Sequence, residues 1–400
     1  MRILFLSTWY PHPPDNGSKL RVYHLLRALS QQHEVTLISF AFATARPEQQ
    51  EAVRALCTEF RAVPVDPFAA NRASALRTFL SLRPVASRPI PAMREKVSAA
   101  LASQRFDAVI ASTDMMADYA LQAGKGTAKV LEEHNAMTRW TRGPHDAVLR
   151  ANERVRRWAS RQKRRHYEAR TYRHFDLITM VSEEDRAAAL ASVEGHRTRV
   201  AVVPNGVDCT HNHPGLAHAR SRTLVYNGSL TYSANYNAMD NFLAHIYPLI
   251  QHALPDVTLT ITGSTDGCDL TSLALDGSVT LTGYVEDVRI PVAEAAVCIA
   301  PIYQGGGTRL KILEAMALGT PVVATSKGAE GLAVVNGKHL LVADTPRTFA
   351  EETIQLLRRP ELGRALAGNA RALVESRYDW DSIGQQFAQL VVETVRIRRS

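Results

Sequence analysis

Short apolar runs separated by amphipathic stretches recur along this chain, and no other feature limits its fold so tightly. "RILFLS" from Arg2, "HEVTLISF" from His33, "FDAVIAS" from Phe106, "AKVLEEH" from Ala128, "DLITMVS" from Asp176 and "RVAVVPN" from Arg199 read as short strands. Helical patterns lie between them, one from Ser18 and one after Pro47. In the first, Val22, Leu25, Leu26 and Leu29 follow an i, i+3, i+4, i+7 stripe and are candidate core. Strands alternating with helices predict a parallel sheet with helical crossovers.

The pattern breaks at "PNGVDCTHNHPG", residues 204–215, which is rich in turn formers and has no apolar period. A second series follows: "TLVYNGS", a helix through "ANYNAMDNFLAHIYPLIQ", then "TLTITGS", "VTLTGYV", "VCIAPI", "PVVAT" and "HLLVAD". Four hundred residues exceed what one core serves, so two α/β domains are expected. We place them at 1–205 and 206–377, with a final amphipathic helix over 378–400.

With 46% hydrophobic and 22% charged residues the composition is globular, which argues against disorder. A net charge of +8 suits an anionic partner: nucleic acid, acidic lipid or a phosphorylated small molecule. Cys57, Cys209, Cys268 and Cys298 are far apart and form no CxxC pair, so neither a zinc site nor a disulfide framework is expected, and a reducing cytoplasm fits. "MRILFLSTWYPHPP" reads as a buried strand rather than a signal peptide, and no apolar stretch approaches the roughly 20 residues that span a bilayer. Residues 150–175 are arginine-rich, with only Glu153 and Glu168 to offset them. That stretch reads as a solvated helix face, an anionic-membrane contact aided by Trp158 and Tyr167, or, weakest for lack of a recognised module, a nucleic-acid contact.

The stretch "PIYQGGGTRLKILEAMALGTPVVATSKGAEGL", residues 301–332, places Gly305, Gly306 and Gly307 directly before a strong helical pattern. Glycine is destabilising in a regular element by roughly 0.5–1 kcal/mol, so the triplet is either a loose turn or a place where bare backbone meets a ligand. On a helix starting near Thr308, Gly307, Lys311 and Glu314 share one face, with Glu314 about 9 Å along the axis. That face suits a carboxylate on a sugar hydroxyl pair with phosphate at the helix start; the plainer reading is a surface Lys311–Glu314 pair. "PVVATSKGAEGL" repeats a strand followed by a loop with Lys327, Gly328 and Gly331. Doubly wound sheets bind ligands at such a carboxyl edge.

The order "NGS", "GYV", "GGGTRLKILEAMALGTPVVAT" and "GAEGL" closely resembles the family 4 glycosyltransferases of the GT-B fold, over nearly the whole chain. The resemblance implies two Rossmann-like doubly wound parallel-sheet domains facing across a cleft, with the last helix crossing back to the first. It implies a retaining hexosyltransferase without metal or other cofactor, which takes a sugar from a nucleotide diphosphate sugar bound mainly by the second domain. The acceptor would be a glycan, a lipid-linked group or a small molecule met by the first domain. A cytoplasmic protein, peripheral to the inner face of the membrane, would fit.

Carried over residue by residue, Glu314 corresponds to the second glutamate of the family's paired motif and would hold the ribose hydroxyls. Gly306 stands where the first glutamate is usual, so sugar contacts would fall to backbone N–H groups, Thr308 or Arg309. Gly283, Tyr284 and Val285 match the segment against the base, and Gly331 and Leu332 match turn amides that reach the diphosphate. Gly228 lies in the "NGS" turn, and Gly17 matches the glycine loop of the first domain. His134 matches a histidine lining the reaction centre, and its strand position allows only one of Glu132 and Glu133 to share its face.

Many members of the family it resembles place an arginine and a lysine just after the first strand of domain two, yet no Lys or Arg occurs between Arg222 and Arg289. Arg309 and Lys311 become the nearest counter-charges for the diphosphate, with Lys327, Lys19 and Arg21 behind them. An epimerase or phosphorylase of the same fold, or a non-catalytic nucleotide-sugar-binding subunit, remain alternatives. The DxD spacing at Asp379–Asp381 reads as a helix N-cap region, and His211–His213 lack further ligands.

Overall fold

The computed structural model describes residues 1–41, 47–68, 89–134, 151–305 and 309–400. Two compact units emerge: Met1–Pro204 with Asp381–Ser400, and Asn205–Trp380. The boundary falls in the turn-rich stretch, whose Val207 and Cys209 are buried in the core of the second unit.

The first unit is built on strands β1 (Arg2–Ser7), β2 (Glu34–Phe40), β3 (Glu59–Val63), β4 (Ala108–Ser112), β5 (Ala128–Glu132), β6 (Leu177–Met180) and β7 (Arg199–Val202). They form one parallel sheet in the order β3-β2-β1-β4-β5-β6-β7. Strand order reverses between β1 and β4, and register sets Ser7, Ser112 and Glu132 side by side at the carboxyl ends. A sheet wound in both directions from its middle leaves its ligand position at such a reversal. The strand missing from the sequence reading is β3, an edge strand whose Glu59 and Arg61 interrupt any apolar run. Helix Gly17–Ser30 buries Val22, Leu25, Leu26 and Leu29 as its stripe requires, but it also buries Arg21 and His24.

The second unit repeats the plan with β8 (Arg220–Asn227), β9 (Thr258–Thr262), β10 (Val279–Gly283), β11 (Ala295–Ala300), β12 (Val322–Ala324) and β13 (Leu341–Val342). The order is β10-β9-β8-β11-β12-β13, parallel throughout. Two apolar clusters pack on this sheet: one gathers Tyr226, Phe242, Tyr247 and Phe349, and the other Ile312, Leu313, Met316 and Val374.

The final helix runs Trp380–Arg399, two residues later than the sequence suggests. Tyr378 is instead paired to Val207 by a backbone bond of 2.8 Å, and Asp379 accepts from the N–H of Cys209 at 3.1 Å. From Asp381 onward the helix belongs to the first unit. Arg398 binds Asp176 at 2.8 Å, and Gly384 lies so close to helix Gly17–Ser30 that a Cβ there would stand 2.5 Å from Ala28 Cβ. Gly384→Val should therefore lower the stability of the chain by about 1–3 kcal/mol through overpacking. Thermal melts check this; an unchanged midpoint would mean that the two helices do not pack there.

Candidate functional site

In the second unit the site grows from the end of β8 and from helix Leu310–Leu318. That helix buries Ile312, Leu313 and Met316 and ends at Gly319, whose φ of +78° lets its N–H turn back to the carbonyls of Ala315 and Met316. It begins at Leu310 rather than Thr308, so Glu314 stands only about 6 Å along the axis. Gly306, Gly307 and Thr308 lie outside the described residues.

Lys311 and Glu314 do share a face, but each turns to its own partner. Lys311 Nζ donates to Tyr226 Oη at 2.7 Å and to Asn235 Oδ1 at 3.1 Å, and lies 3.9 Å from the centroid of the Tyr226 ring. Gly228 makes this possible, because a Cβ there would come within 2.6 Å of the amine. Some solvent still reaches the side chain, yet desolvation pushes Lys311 down to about 7. Glu314 accepts from Asn227 Nδ2 at 3.0 Å. Burial raises its pKa, against the opposing effects of Lys311 and Asn227.

Arg309 is buried, and its Nη2 donates to the carbonyls of Gly305 at 3.0 Å and Lys327 at 3.5 Å. It thus braces the loops after β11 and β12, a structural duty its sequence position does not reveal. Gly305 has φ +92°, and a Cβ there would crowd Ala234 Cβ and Tyr232 Oη at 3.2 Å. Lys327 is paired with Glu330, so its charge is already met. At the end of β10, Gly283 takes φ +65°, and the Tyr284 ring that follows is 82% exposed, with Val285 half-buried beside it. Gly331, at φ +81°, and the half-buried Leu332 follow Lys327 and Glu330 beyond β12.

In the first unit Gly17 opens its helix under the cap of Asn16, which accepts from the N–H of Lys19 at 3.1 Å. Lys19 is paired with Asp15 at 2.9 Å. Arg21 is fully buried on Glu132 and donates to the carbonyl of Pro204 at 3.0 Å, which withdraws it from the diphosphate counter-charges considered from sequence. Of the two glutamates, Glu132 shares the face of His134: its Oε2 lies 3.2 Å from His134 Nε2 and accepts from Ser112 Oγ at 2.8 Å. Burial alone would raise the Glu132 pKa, but Arg21 and His134 hold it well below the usual carboxylate range. The sequence reading places Arg21 among the counter-charges and not in the core, although Arg21, Leu25 and Leu29 are i, i+4, i+8 on the apolar stripe. Thr113, next along from Ser112, holds φ +76°, a strained value for a β-branched residue.

Glu133 faces the other way, where Tyr172 Oη donates to it at 3.1 Å. Arg164 binds Asp114 beside it, so this arginine of the basic stretch is a buried structural group. Helix Ala151–Tyr172 is thus divided: Tyr167, Glu168, Thr171 and Tyr172 are buried, whereas Val155 and Trp158 are 64% and 62% exposed. Among the described residues no group of His, Cys, Asp and Glu is placed to hold a metal ion, and no helix is long and apolar enough to cross a membrane.

Two family models match the chain, Glycosyltransferase Family 4 over residues 16–211 and Glycosyl transferases group 1 over residues 221–359. A D-inositol 3-phosphate glycosyltransferase of Segniliparus rotundus is 27% identical over 236 residues, 51% of each chain. A phosphatidyl-myo-inositol mannosyltransferase of Mycobacterium leprae is 33% identical over 204 residues, 48% of this chain and 53% of the relative. The chain thus spans about half the length of these curated relatives. The sucrose-phosphate synthase of Thermosynechococcus elongatus superposes with a TM-score of 0.72 at 16% identity, covering 99% of this chain and all of that one. Anabaena HepE in complex with UDP and glucose superposes at 0.66 with 18% identity, over 98% of this chain and 100% of the other. Identities this low speak to the fold alone.

The Glu133 cluster yields a pH dependence. Burial, then the neighbouring Asp114 and Glu168, raise the Glu133 pKa well above its ordinary value, against Tyr172 and Arg164. A carboxyl raised in the folded state contributes stability that is complete below its unfolded pKa and is lost as pH rises through the folded one. Glu133→Gln, which keeps an acceptor for Tyr172, should therefore raise the melting temperature near pH 8 by more than at about pH 4. Equal shifts at both pH values would show that Glu133 is ionised in the fold.

Proposed function

Because this chain belongs to the family 4 glycosyltransferases, with their two-sheet GT-B fold, we propose that it transfers a sugar from a nucleotide diphosphate sugar to an acceptor hydroxyl, with retention of configuration. The product would be a glycan, glycolipid or polysaccharide. The observation that carries this reading is the pair Lys311 and Glu314, both desolvated, at the carboxyl edge of the second sheet, where Gly228 has no side chain to shield the amine.

A departing nucleoside diphosphate concentrates negative charge, and fixed positive groups in a desolvated site stabilise it best. Protonated beside the diphosphate, Lys311 would supply such a group, and Arg309 fixes the loops whose amides would meet the same oxygens. No metal or other cofactor is required. Glu314 would accept from the ribose hydroxyls, and the exposed Tyr284 ring offers a flat face to the base. The first unit, with Gly17 and His134, would take the acceptor. The titles of the HepE structures name UDP and UDP-glucose, which supports testing uridine donors first. Release of nucleoside diphosphate only when an acceptor is added is the expected result; release without acceptor, or sugar epimerisation alone, would refute transfer.

Glu314→Ala should weaken nucleoside diphosphate binding by about 1.5–3 kcal/mol, the scale of a hydrogen bond to a charged group. Calorimetric titration checks it, and unchanged affinity in a folded variant would remove Glu314 from the site.

We also propose that the exposed start of helix Ala151–Tyr172 meets anionic lipid on the cytoplasmic face of a membrane. The exposed Val155 and Trp158 among Arg154, Arg156 and Arg165 support this. Binding to vesicles containing acidic lipid should fall with salt and fall further in a variant with these three arginines changed to glutamine. Equal sedimentation of variant and wild type would contradict it.

A further inference from the structure

The cluster around Glu132 has fewer protons than contacts, and counting them assigns the histidine. Glu132 Oε1 accepts from Arg21 Nε, an obligatory donor. Its Oε2 faces two groups, Ser112 Oγ at 2.8 Å and His134 Nε2 at 3.2 Å, which are themselves 3.2 Å apart. Serine has one hydroxyl proton. Given to His134, it would leave the serine oxygen and the ring nitrogen both turning lone pairs on the carboxylate. Given to Glu132, the shorter contact, it leaves two acceptors around Nε2, and only a proton on Nε2 satisfies them.

We infer that Glu132 is a positioning residue: it fixes His134 in the tautomer protonated on Nε2, so that the ring offers the lone pair of Nδ1 to a substrate hydroxyl. Arg21 completes the device by claiming the other carboxylate oxygen. The inference rests on the proposed placement of His134 beside substrate, and it adds which atom of the ring meets the ligand and in what sense. A hydroxyl donates to His134; a ligand carbonyl or phosphate oxygen at Nδ1 would meet a lone pair and be repelled. The group selected is therefore a sugar or acceptor hydroxyl.

The test is imidazole nitrogen NMR on the full chain labelled with nitrogen-15, in alkaline buffer, with His134 assigned among the 14 histidines by its loss in His134→Asn. Wild type should show a protonated Nε2 and a bare Nδ1. Glu132→Gln should reverse the tautomer, because Arg21 will hold the amide oxygen and turn the NH2 group onto Nε2. It should also lower kcat by about tenfold or more, with KM for the donor moving less.

A wild-type ring protonated on Nδ1 would overturn the inference, and so would a folded Glu132→Gln variant with the wild-type tautomer. If Glu132→Gln does not fold, the wild-type spectrum alone decides. Absence of transfer activity in every variant, wild type included, would refute the proposed function and leave the tautomer assignment intact.

Discussion

An amine held largely out of water governs the second unit. Burying an ammonium in protein is costly unless strong partners surround it, and otherwise the group gives up its proton. Lys311 has a tyrosine hydroxyl, an asparagine oxygen and an aromatic face, but no carboxylate bonded to it: Glu314 is engaged by Asn227. Its pKa falls to about 7 for that reason, through desolvation. The surroundings follow from this placement. Gly228 must lack a side chain, Tyr226 must be a tyrosine to bridge to Asn235 at 2.7 Å, and helix Leu310–Leu318 must bury its opposite face firmly enough to fix the lysine stem.

The first unit solves the opposite problem. Arg21 and Glu132 are both fully buried, and each is the other's counter-charge, so the pair is neutral as a whole and can set the geometry of Ser112 and His134. Breaking a buried pair by removing one partner is strongly destabilising, about 3–5 kcal/mol, which ties the integrity of the fold to the residues arranged around His134. One unit keeps an amine desolvated without a bonded carboxylate, whereas the other pairs its buried charges.

Much of this was legible in the sequence, for identifiable reasons. Strands buried on both faces advertise themselves as apolar runs, which is why β1, β8 and β11 could be read directly. β3 could not, because an edge strand tolerates Glu59 and Arg61. The face shared by Lys311 and Glu314 follows from helical spacing, but their partners Tyr226, Asn227 and Asn235 come from 76 to 87 residues away and leave no local trace. Arg309 reads from sequence as a counter-charge for phosphate; that its Nη2 also holds the carbonyls of Gly305 and Lys327 leaves no sign in the sequence. Within the arginine-rich stretch, Arg164 and Arg165 look alike on paper, yet Arg164 is paired with Asp114 and Arg165 is exposed.

The central claim, that Lys311 is the cation awaiting a diphosphate, has a direct test in proton linkage. With a free pKa near 7, Lys311 is mostly neutral at about pH 8, and an adjacent diphosphate would raise that pKa and draw a proton from solution. Calorimetric titration of a nucleoside diphosphate at about pH 8, repeated in buffers of different ionisation enthalpy, should show uptake of close to one proton, lost in Lys311→Met. Binding that takes up no proton, or the same uptake in the variant, would show that the diphosphate is neutralised elsewhere.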